Sequence, residues 1–171
     1  MTTIIRATLK DKELLAKLGK ATFIEAHGKS ASKDIIDTYV SKKFSVEAFE
    51  DELKDSNNIF YILYYNEKAV GYSKVIFNCQ HSNILSKNIT KLERLYVLED
   101  FHSLKLGLAL FDLNCQEAIK NQQSGMWLFV WTENQKAINF YKKVGFNAVG
   151  YHDFELSPTH YNPNHQMLLL F

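Results

Sequence analysis

The chain predicts an α/β fold: a mixed central sheet of about seven strands with helices on its faces. Three observations carry this. Apolar, β-branched runs alternate with amphipathic stretches in the order β-α-α-ββ-β-α-β-α-β-β, counting Lys33–Lys54 as one helical segment. Ile59–Tyr65 and Ala69–Cys79 are separated only by Asn66-Glu67-Lys68, which allows a hairpin and nothing longer. Lys91–Leu110 passes from a strand pattern to a helix pattern through one short polar turn.

Taken in order, Thr2–Thr8 is β-branched and predicts the first strand. Asp11 opens a helix to about Gly28, with Leu14, Leu15, Leu18, Ala21 and Thr22 on one side. Asp34–Phe44 is a second amphipathic helix through Ile35, Ile36, Tyr39 and Val40, and Ser45 is placed to cap Val46–Lys54. Ile59–Tyr65 is nearly all apolar or aromatic, as in a strand covered on both faces. Gly71 marks a place of close backbone approach or a bulge in the next strand. Gln80–Asn88 is a polar connection before the strand Ile89–Leu98. Its successor helix runs to about Gln122, with Leu108, Phe111, Cys115 and Ile119 spaced for burial. Met126–Trp131 is a short buried strand. Thr132 and Gln135 have capping-box spacing for a helix that buries Ala137, Ile138, Tyr141 and Val144 and stops at Gly145. Phe146–Leu156 is a strand, Ser157–Asn164 with both prolines a loop, and His165–Phe171 the last strand.

Composition narrows the function. With 171 residues, 46% hydrophobic and 23% charged, the chain suits one globular domain spanning 1–171. A net charge of +1 suggests no nucleic-acid partner. The apolar runs are too short to span a bilayer, and the N-terminus has the wrong charge order for a signal peptide. Cys79 and Cys115 fit no metal or redox spacing, and no metal is expected. A reducing, cytoplasmic setting follows.

The turn inside Lys91–Leu110 holds the chemistry. A strand that runs straight into a helix leaves several unpaired N–H groups at the turn, a ready site for phosphate. The turn closes as His102-Ser103-Leu104-Lys105-Leu106-Gly107, after Leu95-Tyr96-Val97-Leu98. It resembles the pyrophosphate loop of the GNAT superfamily of acetyl-CoA-dependent N-acetyltransferases, Gln/Arg-x-x-Gly-x-Gly/Ala, keeping the final glycine, with Lys105 at the usual glycine position. Thr132–Phe146 resembles a second segment of that family, with Asn134, Ala137, Phe140, Tyr141, Gly145 and Phe146 all matching. On these two motifs, in order and on the expected elements, the chain is identified as a member.

The resemblance implies a GNAT-type mixed, mostly antiparallel central sheet of about seven strands with helices on both faces and a V-shaped cofactor cleft, and acetyl-CoA as acetyl donor. It implies that the backbone of Leu95, Tyr96 and Val97 pairs with the pantetheine arm. His102, Ser103, Leu104, Lys105, Leu106, Gly107, Leu108 and Ala109 would surround the phosphates. Asn134 and Phe140 would contact the cofactor, and Tyr141 would also protonate the departing thiolate. Glu93, two residues before Leu95 and on the same nominal face, is the candidate base for the acceptor amine, with pairing to Arg94, Lys91 or a neighbouring strand as its alternative. The helical segment Lys33–Lys54 and the loop also resemble bacterial polyamine acetyltransferases, with Glu25, Asp34, Asp37, Glu93, Phe23 and Tyr39 as acceptor-binding candidates. A cofactor-binding sensor and a protein N-terminal acetyltransferase are the alternative functions. His27, His81, His152, His160 and His165 are expected to be solvated. The proline-containing terminal hairpin and the aromatic excess are compatible with a homodimer surface.

Overall fold

The computed structural model of the protein describes residues 1–171. A seven-stranded sheet is ordered β1-β2-β3-β4-β5-β7-β6. Its strands are β1 (Thr2–Arg6), β2 (Asn58–Tyr65), β3 (Lys68–Ile76), β4 (Thr90–Val97), β5 (Gly125–Trp131), β6 (Asn147–Ser157) and β7 (His160–Leu170). All neighbours are antiparallel except β4 and β5. Helices α1 (Lys12–His27), α2 (Lys33–Lys43) and α3 (Val46–Lys54) precede β2; α4 (Leu106–Lys120) joins β4 to β5, and α5 (Gln135–Lys143) follows β5. The α/β class, the mixed sheet and the helices on both faces are as expected from the sequence.

Two cores sandwich the sheet. One packs α4 and α5 onto it through Leu63, Val75, Leu92, Leu110, Leu128, Ile138 and Tyr141. The other packs α1–α3 through Leu15, Phe23, Val40, Phe49, Phe60, Ile62 and Tyr72. Strand β2 is covered on both faces because its alternate side chains feed opposite cores, which explains its unbroken apolar run.

The structure corrects the sequence in three places. The segment 157–164 is no loop: the chain turns at Pro158-Thr159, and β7 starts at His160. Pro163 is tolerated in the strand because its carbonyl, and so its missing donor, faces past the end of β5, where Thr132 N–H meets it at 3.0 Å. Thr132 is therefore still tied to the sheet. The cap of α5 is Asn134, whose Oδ1 accepts Ala137 N–H at 3.1 Å. The third correction lies in β4. Leu92 opposes Val75 and Arg94 opposes Lys74, so Glu93 is an extra, bulged residue. Leu92 and Leu95 both face the α4–α5 core, while Glu93 and Arg94 both turn toward α1–α3. Glu93 thus does not share the face of Leu95.

Candidate active site

The site begins where β4 and β5 part. They pair only at Thr90–Met126 and Lys91–Trp127 and then diverge. Leu98 N–H donates to Val70 O at 2.8 Å, toward β3, so by strand alternation the backbone groups of Val97 and Leu95 face the opening. The opening continues into a cleft of about 1010 Å³ that reaches from the start of α4 to α1, α2 and β6.

At one end lies the turn. Glu99–Leu104 form a 3₁₀ turn, and Lys105 caps α4 in the left-handed region at φ 56° and ψ 20°. The N–H groups of Leu108 and Ala109 reach Lys105 O at 3.1 and 3.3 Å, which leaves those of Leu106 and Gly107 without a carbonyl. A Cβ on Gly107 would meet only Val97 Cγ2 at 3.9 Å, so packing does not demand the glycine and the space above it opens on the cleft. His102 Nε2 donates to Val97 O at 2.7 Å, and Lys136 Nζ donates to His102 Nδ1 at 2.6 Å. This brings Lys136, an ordinary helix lysine by its sequence context, beside the turn. Ser103, Leu104 and Lys105 are exposed, Leu106 is buried, and Leu108 and Ala109 continue the first turn of α4. The residues present suit an extended ligand ending in phosphate: the open N–H groups of Leu106 and Gly107, the cation of Lys136 nearby, and the backbone of Leu95 and Val97 along the opening, where only Val97 O is engaged, by His102.

Beneath the opening, Tyr141 stands on α5 between the rings of Phe140 (5.3 Å) and Phe146 (5.5 Å). Burial raises its phenol pKa above the ordinary value, and the nearby Tyr96 adds to the rise. Tyr141 is therefore a protonated donor at neutral pH. Asn134 lines the cleft while capping α5, so both expected uses of its position coexist sterically.

Above the opening is an aromatic chamber. Phe23 stacks on Tyr39 at 5.0 Å, Tyr39 meets Phe154 at 6.1 Å, and His27 meets Trp131 at 5.8 Å. His27 Nε2 lies 3.2 Å from Tyr96 Oη. Burial lowers the His27 pKa to about 4 and pushes the Tyr96 phenol up to about 12. The expectation of a solvated His27 is corrected: it lies four residues after Phe23, on the buried side of α1, a helical spacing that held the signal. His81, His160 and His165 are also only partly exposed, and His160 Nε2 donates to Ser30 O at 2.8 Å.

Below that chamber runs a chain of charges. Glu52 on α3 forms an ion pair with Lys74 at 2.7 Å and accepts from Arg94 at 2.9 Å. Glu93 pairs with Lys74 and lies 3.4 Å from Lys91. Burial alone would raise the Glu93 pKa, but Lys74, Lys91 and Arg94 outweigh it and hold the carboxyl at about 2. Of the acceptor-binding acids expected from the sequence, Glu25 and Glu93 line the cleft, and Glu25 accepts Glu99 N–H at 2.9 Å. Asp34 and Asp37 lie on the exposed side of α2, where Asp37 pairs with Lys33. Asn162 and Asn164, buried on β7, join the cleft wall; the misread loop concealed them.

A sheet split beside an open helix N-terminus suits a long, phosphate-tailed ligand, and the cleft there continues into the aromatic chamber. Residues 28–146 match the acetyltransferase (GNAT) family. The chain belongs to that family. It is 26% identical over 153 residues to an uncharacterized N-acetyltransferase in the pepI 3′ region of Lactobacillus delbrueckii subsp. lactis, covering 90% of this chain and 88% of the relative. Its fold is similar to that of PaiA N-acetyltransferase from Thermoplasma acidophilum, solved in complex with coenzyme A (TM-score 0.80, 19% identity, 100% and 99% of the two chains). It is also similar to a GNAT-family acetyltransferase from Streptococcus pneumoniae (TM-score 0.72, 22% identity, 100% and 99%). No helix is long and apolar enough to cross a membrane, and no cluster of three metal-ligating side chains is present.

Proposed function

We propose that this protein transfers the acetyl group of acetyl-CoA to a primary amine of a small molecule. The observation that carries the reading is the divergence of β4 from β5 between the start of α4 and the protonated Tyr141. The pantetheine arm lies along Leu95 and Val97 and pairs with their free backbone groups; the second lone pair of Val97 O remains open beside His102. The phosphates rest on the first turn of α4, aided by Lys136 and Lys105. Fixed backbone donors next to the thioester carbonyl stabilise the oxyanion of the tetrahedral intermediate. Tyr141 gives its proton to the departing thiolate. The bulged Glu93 keeps Lys74 and Lys91 neutralised beneath the acceptor; held at about 2, its carboxylate is a weak proton acceptor.

The acceptor chamber supports an amine. Aromatic faces of Phe23, Tyr39, Tyr96 and Trp131 attract an ammonium, and Glu25 and Glu155 supply carboxylates at the wall. A polyamine is the finer reading, supported by these groups and by the loop resemblance. The chain acts as one domain, since a single sheet uses strands from both of its ends. Two unpaired cysteines support a cytoplasmic setting.

Thiol release from acetyl-CoA with a panel of monoamines, diamines, polyamines and N-terminal peptides tests the reading. Turnover on small amines is expected. Tight coenzyme A binding with no turnover on any amine would establish the sensor alternative, and turnover confined to peptides the N-terminal acetyltransferase. Tyr141→Phe should lower kcat about 100-fold or more, with little change in KM for acetyl-CoA.

A further inference from the structure

We infer that His27, working through the Tyr96 hydroxyl, takes the proton that the acceptor amine must lose. The inference rests on the amine-acetyltransferase reading above and adds a residue to it. His27 ends α1 and reaches across the mouth of the opening. Its Nε2 is 3.2 Å from Tyr96 Oη on β4, and its ring is 5.8 Å from Trp131 at the end of β5. The imidazole therefore bridges the two lips of the split on the acceptor side of the sheet. Tyr96 follows Leu95 directly, and its phenol is close enough to Tyr141 to add to the rise in the Tyr141 pKa. The pair His27–Tyr96 and the donor Tyr141 thus approach the reacting carbonyl from opposite faces of the sheet.

No other group in the chamber is as well disposed to accept a proton. Glu93 is held by Lys74 and Lys91, and Arg94 is held by Glu52. Glu25 is engaged by the Glu99 N–H. Lys43 and Glu155 line the wall, with Glu155 exposed on β6. The rest of the wall includes the aromatic rings of Phe23, Tyr39, Trp131 and Phe154 and the amides of Asn162 and Asn164, none of which is a base. Burial keeps His27 neutral at pH 7, so that Nε2 accepts from the Tyr96 hydroxyl, and the same burial makes the imidazole a weaker base than a solvated one. The same desolvation lowers the pKa of an ammonium brought into the chamber, which narrows the gap between donor and acceptor.

The step balances as follows. The ammonium gives a proton to Tyr96 Oη as the Tyr96 hydroxyl proton passes to His27 Nε2. The neutral amine nitrogen then forms its bond to the acetyl carbon. The carbon–sulfur bond breaks, and the sulfur keeps the electron pair and takes the Tyr141 proton. The second proton on the acetylated nitrogen restores Tyr141. The imidazolium returns its proton to solvent through the cleft, for a net release of one proton.

The test uses whichever amine the wild type acetylates best. His27→Gln and Tyr96→Phe should each lower kcat at least about 100-fold, with KM for acetyl-CoA changed less than about twofold. Added imidazole should restore part of the rate of His27→Ala, which a purely structural histidine would not allow. If His27→Gln fails to fold, Tyr96→Phe decides by the same threshold. Retention of more than about a tenth of kcat by the folded variant that decides, or no rescue by imidazole in a folded His27→Ala, overturns the assignment while leaving the transferase reading intact. A wild type that turns over no amine removes that reading first, and this inference with it.

Discussion

Replacing His27 by Gln should change how stability depends on pH. In the folded protein burial lowers the His27 pKa from 6.5 to about 4. Between these values the unfolded chain binds a proton that the folded chain refuses, so folding weakens as pH falls. The stability present above pH 6.5 is lost progressively down to about pH 4 and then levels off. From the two values, the loss relative to pH 7 is about 2 kcal/mol at pH 5 and about 3 kcal/mol at pH 4. Gln does not titrate, so the variant lacks this component, whatever packing it loses at every pH. Urea unfolding followed by the fluorescence of Trp127 and Trp131, at several pH values from 7 to 4, measures both proteins. The wild-type curve should fall more steeply by the stated amounts. Glu93 remains in both proteins; its depressed pKa, about 2, costs stability only below about pH 4.5 and cancels in the difference. Parallel curves for wild type and variant would refute the burial argument for His27.

Other positions give further tests. Lys105→Gly should raise stability by up to about 1 kcal/mol, because φ 56° is unfavourable for a side chain; a lower denaturation midpoint would contradict this. Gly71→Ala places a Cβ 2.6 Å from the Tyr96 carbonyl and 3.2 Å from Val97 Cα, so β4 must shift; about 1–3 kcal/mol of stability should be lost and KM for acetyl-CoA should rise, and unchanged values in both assays would exclude the close contact. Asn114 donates to Ser73 Oγ at 2.9 Å and to Leu110 O at 2.7 Å in full burial, so Asn114→Leu should cost about 1–3 kcal/mol in chemical denaturation; a neutral result would mean the Ser73 hydroxyl finds another partner.

Much of this molecule is written in local pattern. The order of strands and helices, the Ser45 cap, the turn at 99–107 and the periodicity of the helix carrying Tyr141 follow from patterns that neighbouring residues set. Those signals act within a few residues, so no partner strand is needed to read them. What the sequence leaves open depends on pairing across the chain. One extra residue opposite Lys74 turns Glu93 away from the face of Leu95, and only the register with β3 reveals it. Lys74, remote in sequence, then holds the Glu93 carboxyl ionised and weakly basic. His27 reads as the polar end of a helix until β4 and β5 bring Tyr96 and Trp131 around it. Asn162 and Asn164 stay hidden in an apparent proline loop until β7 is seen to continue through Pro163. The turn and the helix of the site are thus properties of short segments, whereas burial and charge, which set its acid–base behaviour, arise only when distant segments exclude water together.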